Sequence, residues 1–130
     1  MQLRTTIFGF CFFLLVLTFN SCRESREISH DFCHHVYFWL NDPDSPADRE
    51  AFEEGIAGLL LIPEIKAYHL GVPAETGYRD VVDGTYTYSY LVFFDDAEGH
   101  DIYQDHPIHR KFVDEYHHLW SKVVVYDSVP

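Results

Sequence analysis

The sequence predicts an α+β domain whose strands and helices follow the order β-α-β-β-α-β. Four segments are rich in β-branched and aromatic residues, which is typical of strands. Two longer segments between them carry apolar residues at helical spacing, with turn residues and prolines at their boundaries. Behind an apolar N-terminal segment, the rest of this 130-residue chain has the length of a single domain.

The first half of the domain is predicted as strand, helix and strand. Residues 33–40 form the first strand, and apolar side chains stand on both of its faces. Ser45 and Pro46 begin a helix that ends at Ile62-Pro63. Residues 65–72 form the second strand. The apolar stripe of the helix consists of Phe52, Ile56, Leu59 and Leu60.

The second half is predicted as strand, helix and strand behind a polar loop over residues 73–84. Residues 86–94 form the third strand, and residues 97–104 form a short helix. A second helix begins at Pro107, and residues 123–126 form the last strand. The stripe of that helix contains Phe112, Val113, Tyr116, Leu119 and Trp120. This element order is that of a ferredoxin-like sandwich.

The residue pattern of the first strand also predicts that the chain pairs with a second copy of itself. Helices cover one face of a four-stranded sheet of this type and leave the other face bare. Because residues 33–40 are apolar on both faces, we expect two sheets to pack face to face. The expected assembly is a homodimer, a dimeric α/β barrel.

Residues 1–21 are interpreted as a signal peptide. Arg4 precedes an apolar run over residues 7–19, which is too short for a permanent membrane-spanning helix. The following Phe19-Asn20-Ser21-Cys22 resembles a bacterial lipoprotein box, in which the cysteine becomes acylated. The prediction is a lipidated Cys22 with a tether over 22–32 and a domain over 33–130, held at the cell envelope. Secretion without an anchor and a retained short anchor are the alternatives.

The charge balance narrows the possible partners. Nine Lys and Arg face 21 Asp and Glu, and the formal net charge is −12. Nucleic acid is therefore excluded as a partner, and membrane contact is expected through the lipid anchor only. The sequence has no CxxC and no HExxH motif, and consecutive His34 and His35 point to opposite faces of a strand. No metal and no cofactor are predicted.

His109 is the candidate functional histidine because it lies within an apolar helical stripe. Tyr103, one short helix earlier, has a phenol that needs a partner when buried. Asp127, at the end of the last strand, could orient an imidazole. A purely structural core histidine is the alternative. The histidines expected to be solvated are His30, His100, His117 and His118.

Residues 103–112 read Tyr-Gln-Asp-His-Pro-Ile-His-Arg-Lys-Phe. They resemble the Y-x-x-H-P-x-H-x-x-F signature of the stress-responsive A/B barrel (Dabb) family. Segments 35–40, 62–65, 70–72 and 120–127 also fall where that family has similar segments. The resemblance implies a ferredoxin-like fold that dimerises into a barrel, in agreement with the strand pattern.

One branch of the family, a plant polyketide cyclase, closes a ring by aldol chemistry without metal or cofactor. By this resemblance, Tyr103 would hold a substrate carbonyl and His109 would remove a proton. Asp127 would support them, and His35 would be the histidine of the first strand. Ala51 and Gly55 stand where that cyclase has bulky aromatics, which implies a differently shaped pocket. The expected pocket residues are Phe52, Tyr90, Phe112 and Trp120.

Three functions remain open at this point. The first is a lipid-anchored Dabb dimer that binds a small hydrophobic molecule or is associated with stress. The second is a cofactor-free lyase or cyclase that uses His109, Tyr103 and Asp127. The third is a non-catalytic interaction protein of the cell envelope.

Overall fold

The computed structural model of the chain describes residues 30–130. The predicted signal peptide and the lipidation of Cys22 lie outside the described residues. Among the described helices, none combines the length and the apolar character needed to cross a membrane.

The described chain forms one antiparallel sheet with helices on one face. The sheet has the strand order β2-β3-β1-β4, which confirms the predicted ferredoxin-like α+β fold. The strands are β1 (Phe32–Leu40), β2 (Ala67–Gly71), β3 (Tyr88–Phe94) and β4 (Trp120–Ser128). The helices are α1 (Pro46–Leu59), α2 (Ala97–Asp105) and α3 (Pro107–Tyr116), followed by a 3₁₀ turn over His117–Leu119.

Each helix begins at a side chain that accepts a backbone N–H. The Ser45 hydroxyl oxygen accepts from Asp48 N at 3.2 Å, and Pro46 follows as the first helical residue of α1. The Asp96 carboxylate accepts from Gly99 N at 2.8 Å at the start of α2. These local capping contacts fix where the helices start, so their N-termini could be read from the sequence.

Buried and partly exposed side chains alternate along β1 and so define the two faces of the sheet. His34, Val36, Phe38 and Leu40 are buried against the helices, whereas the intervening residues are partly exposed on the other side. We call that other side the open face. It carries Cys33, His35, Tyr37, Trp39, Ala67, His69, Gly71, Ser89, Leu91, Phe93, Lys122, Val124, Tyr126 and Ser128.

The predicted end of the last helix is wrong. The spacing of Leu119 and Trp120 predicts that both belong to the stripe of α3, but α3 ends at Tyr116 and Trp120 begins β4. The backbone N–H of Asn41 donates to the Leu119 carbonyl at 2.8 Å, and the Asn41 side-chain amide donates to the His118 carbonyl at 2.8 Å. These contacts to the end of β1 draw the chain out of the helix and into the sheet.

Candidate functional site

A cavity of about 290 Å³ lies between the covered face of the sheet and helix α3. Its walls are mainly apolar, and Val123 and Val125 of the edge strand β4 are about half exposed beside it. A few polar groups interrupt this lining, an arrangement typical of small-molecule sites. The polar or titratable lining residues are His34, Tyr90, Tyr103, Gln104, His109 and His117.

The break between α2 and α3 brings Tyr103 and His109 together. The His106 backbone N–H donates to the Tyr103 carbonyl at 3.1 Å and closes α2. The His106 ring nitrogen Nδ1 accepts from Ile108 N at 3.2 Å and caps α3, where Pro107 is the first residue. The Tyr103 and His109 ring centroids are 4.7 Å apart as a result.

His109 is suited to accept a proton at neutral pH. Burial lowers the pKa of His109 from its ordinary value, and the nearby His34 and His100 rings lower it further. The backbone carbonyl of Gln104 opposes these effects but does not reverse them. A lowered pKa keeps the imidazole neutral near pH 7, and the neutral ring has one nitrogen lone pair available.

Two buried phenols face the same cavity. Tyr90 and Tyr103 are each 1% exposed, and burial raises the pKa of both hydroxyls. They therefore stay protonated and can donate hydrogen bonds across the physiological range. The Tyr90 hydroxyl makes no well-formed hydrogen bond among the described residues, although the Tyr103 hydroxyl lies close enough to influence the pKa of both groups. A buried hydroxyl that is incompletely hydrogen-bonded is costly, so this group favours a ligand that can bind it.

A third titratable group beside the cavity is the pair His34–Asp127. The Nδ1–H of His34 donates to Asp127 Oδ1 at 2.6 Å, across the β1–β4 pairing. The His34 side chain is 6% exposed and the Asp127 side chain 42% exposed. Burial lowers the pKa of His34, although the Asp127 carboxylate opposes this. The carboxylate fixes the tautomer, so Nε2 of His34 carries the free lone pair.

The structure brings some of the predicted site residues together and separates others. Tyr103 and His109 line the cavity, as do three of the four expected pocket residues. Phe52 does not line it but packs behind it, with ring centroids 4.9 Å from Phe38 and 4.7 Å from Tyr88. The lining residues that were predicted are Tyr90, Phe112 and Trp120.

In the structure, Asp127 orients a different imidazole from the one that the sequence suggests. Asp127 does orient an imidazole, but that imidazole belongs to His34 rather than His109. His35 lies on the open face, where its Nε2 is hydrogen-bonded to Ser89 Oγ at 2.7 Å. It is therefore not brought together with Tyr103 and His109. The strand period permits only one of two consecutive histidines to face the cavity, and that one is His34.

His100 also differs from its expectation. The sequence predicts a solvated side chain, but the His100 side chain is 13% exposed and stacks on Phe32 with ring centroids 4.5 Å apart. Its Nε2 is 3.1 Å from the Gln104 side-chain nitrogen. Helix α2 packs this residue against the start of β1, a contact that the sequence spacing alone does not reveal.

Comparison with known proteins identifies the fold family. The model of the stress responsive A/B barrel domain, Dabb, matches residues 32–130. The chain belongs to the Dabb family. No curated protein matches it. Among the described residues, the Dabb domain therefore accounts for the whole sheet and all the helices.

Solved structures share this Dabb fold. A protein from Arabidopsis thaliana is 29% identical, with a TM-score of 0.64, and the match covers 76% of this chain and 94% of that one. A dimeric ferredoxin-like protein of unknown function from Thermobifida fusca is 23% identical, with a TM-score of 0.61 and coverage of 82% and 97%. A hydroxynitrile lyase from Passiflora edulis is 20% identical, with a TM-score of 0.66 and coverage of 79% and 95%.

Proposed function

We propose that this Dabb protein binds a small, largely apolar molecule in the cavity between the sheet and α3. The main support is the pair of buried hydroxyls of Tyr90 and Tyr103 on the wall of a cavity of about 290 Å³, where the Tyr90 hydroxyl makes no well-formed hydrogen bond among the described residues. A cavity of this size accepts a compact ligand, because small-molecule sites start at about 300 Å³. The ligand class is an apolar or aromatic molecule with one carbonyl or hydroxyl group.

The polar end of the ligand would meet Tyr90, Tyr103 and His109. Both phenols remain protonated because burial raises their pKa, so they suit a hydrogen-bond acceptor such as a carbonyl oxygen. The apolar remainder would contact Phe112 and Trp120, whose rings stack with centroids 5.7 Å apart. This division of polar and apolar walls gives the ligand a single orientation.

The proposed functional form is a homodimer at the cell envelope. None of the strand residues of the open face is Asp or Glu, although the whole chain has a formal charge of −12 and Asp83 of the loop before β3 lies at this face. A surface poor in carboxylates favours the approach of two strongly acidic chains. The Thermobifida fusca relative is itself described as dimeric. Acylation of Cys22 would tether the dimer to a membrane, a proposal that rests on the lipoprotein-like sequence before it.

A matched pair of tyrosine variants tests ligand binding. A library of aromatic ketones, phenols and fatty aldehydes is screened by thermal shift and by NMR line broadening. Tyr90→Phe is expected to weaken any hit by about tenfold, since it removes one hydrogen bond worth roughly 1 kcal/mol or more. Tyr88→Phe is the control, because the Tyr88 hydroxyl donates to Glu53 instead. Absence of hits, or equal weakening by both variants, contradicts the proposal.

A cofactor-free lyase or cyclase is the second candidate, favoured by the contact of Tyr103 with His109. Tyr103 would donate a hydrogen bond to a substrate carbonyl, and neutral His109 would take the α-proton to leave an enolate. The enolate carbon could then attack a second carbonyl and close a ring. Because His109 is neutral at pH 7, it needs no prior deprotonation for this step.

Exchange of the α-proton tests this candidate without a known substrate. β-Keto thioesters and β-diketones are incubated in D₂O, and loss of the α-proton signal is followed by NMR. His109→Ala is expected to lower the enzymatic rate by about 10²–10⁴-fold. His118→Ala is the control, since His118 is exposed and outside the cavity. Equal exchange in the parent protein and in His109→Ala rules out this function.

A further inference from the structure

A group of three metal-binding side chains lies beside the cavity, separate from the Tyr103–His109 pair. His34 on β1, His100 on α2 and Asp127 on β4 each offer one ligand atom, and these atoms lie within 4.8 Å of one another. No other such group of three is found within residues 30–130. We propose that His34, His100 and Asp127 bind one divalent transition-metal ion, with zinc as the reference ion.

The donor atoms match the chemistry of such an ion. Two imidazole nitrogens and one carboxylate oxygen suit Zn²⁺, Co²⁺ or Ni²⁺, whereas Mg²⁺ and Ca²⁺ prefer oxygen ligands only. Three protein ligands leave a fourth tetrahedral position for water or another small ligand. The carboxylate also neutralises part of the ion's charge close to the buried His34 ring.

The three residues are held by three different elements. The His34 and His100 ring centroids are 5.0 Å apart, and stacking on Phe32 restrains His100. His34 is fixed by burial on β1, one of the two central strands. Because the three ligand atoms belong to side chains on ordered elements, little conformational entropy is lost when an ion binds.

Loss of the proton that His34 Nδ1 shares with Asp127, together with small local movements, converts the present contacts into ligation, because an imidazole nitrogen must be deprotonated to bind a metal ion. Asp127 Oδ1 is 2.6 Å from His34 Nδ1, closer than two ligand atoms on one zinc ion, which lie about 3.3 Å apart at Zn–ligand distances near 2.0 Å. The Asp127 side chain is 42% exposed and can move outward by this amount. Gln104, which contacts His100 Nε2, has a long side chain that can turn away.

His34 connects the proposed ion site to the cavity. Its ring belongs to both the cavity wall and the three-residue group. An ion held there would stand at one side of the cavity, where its fourth position could be taken by a carboxylate or hydroxyl of a bound molecule. The ion site does not depend on the proposed cavity ligand, because its donors are side chains of this chain.

The test measures ion binding by the purified chain after treatment with a chelator. Zn²⁺ is titrated by calorimetry, and Co²⁺ by its visible absorption, which distinguishes nitrogen and oxygen ligands from thiolates. His100→Phe retains stacking on Phe32 but has no donor, and Asp127→Asn retains the shape but has no charge. His118→Gln is the control for adventitious binding by surface histidines, because His118 is exposed and does not line the cavity.

The expected result is one ion per chain, with affinity reduced at least about tenfold in both His100→Phe and Asp127→Asn and unchanged in the control. Circular dichroism establishes that the variants remain folded. Absence of an ion in the parent protein overturns the proposal, as does retained affinity in either variant. Loss of binding in the control assigns the ion to surface histidines instead. The ligand screen with Tyr90→Phe is independent of all these outcomes.

Discussion

The two faces of the sheet are both rich in apolar and aromatic side chains, yet only one of them is covered by the helices of the same chain. On the covered face, Phe52, Tyr90 and Tyr103 are almost fully buried within the chain itself. On the open face, Tyr37 and Trp39 remain partly exposed, and Tyr126 is largely exposed. An apolar strand pattern therefore shows that a face needs a cover, but it does not show which chain supplies that cover.

The two faces also differ in their chemistry. The covered face holds His34, Tyr103 and His109 close to one another beside a cavity. The open face holds His35 and Tyr37 with ring centroids 4.3 Å apart, and Tyr37 lines a pocket of about 380 Å³ together with the loop residues Asp83 and Tyr86. Burial by the chain's own helices lowers the pKa of His34 and His109 beside the covered cavity, whereas the open face leaves a partly exposed aromatic surface that a second chain could cover.

The largest effect is expected on the covered face, from Phe52→Ala. Phe52 is completely buried and packs on the rings of Phe38 and Tyr88. Loss of the ring should lower the free energy of unfolding by about 3–5 kcal/mol through lost transfer energy and a cavity. Urea unfolding measures this at several protein concentrations. A loss below about 1 kcal/mol would contradict the assignment of Phe52 to the core.

Disruption of the open face should weaken association instead. Leu91→Lys places a cation between His35 and His69 on strands that offer no carboxylate on that face. We expect the dimer dissociation constant to rise about a hundredfold, or about 2.7 kcal/mol, because two charges lose water without a partner. Sedimentation at several concentrations measures the change.

Leu61→Lys is the matched control for that experiment. Leu61 is 73% exposed and lies outside the sheet, so the same change in charge should leave association unaltered. A parent protein that sediments as a monomer at all concentrations would remove the proposed dimer. It would also leave the apolar open face without a cover.

The fold could be predicted from the sequence because its signals are local. The Ser45 cap and the proline at the start of α3 mark helix starts within one turn, and the alternation in β1 marks a strand. The end of α3 could not be predicted, because it depends on hydrogen bonds from Asn41, which is distant in sequence. Local patterns fix where the helices begin, whereas the starts of β2, β3 and β4 differ from the prediction by two or three residues and tertiary contacts decide where α3 ends.

The candidate site could be predicted only in part. Tyr103 and His109 share one short motif, and their proximity follows from the break between two helices. The choice between His34 and His35 could not be made, because a strand apolar on both faces does not show which face meets the helices. The contact of His100 with the same region depends on the packing of α2, which is a tertiary effect.

A smaller effect is expected from acidification, mainly on the covered face, where two histidines with a lowered pKa are more deeply buried than His35 of the open face. Burial lowers the pKa of His34 and His109 in the folded protein below the ordinary value of about 6.5. The unfolded chain therefore binds protons first, and the free energy of unfolding should fall as pH drops from 7.5 through 6.5 to 5.5. Urea unfolding at these pH values measures the loss.

Two histidine variants test whether the buried histidines cause this loss of stability. His109→Gln should reduce the loss between pH 7.5 and 5.5, because one buried titrating ring is removed. His118→Gln changes an exposed histidine and should leave the slope as in the parent protein. A stability that rises on acidification over this window would show that the buried rings gain protons on folding.

The smallest effect is expected where α1 faces solvent rather than packed side chains. A Cβ added at Gly58 meets nothing within 4 Å, so Gly58→Ala should stabilise the protein by about 0.5–1 kcal/mol through helix propensity. A Cβ added at Gly55 lies 3.0 Å from ring atoms of Phe112 and Tyr116. Gly55→Ala should therefore gain less or destabilise, since those rings must shift. Thermal unfolding of both variants measures the difference. Equal stabilisation by both would show that Phe112 yields easily, and that this side of the cavity is looser than its packing indicates.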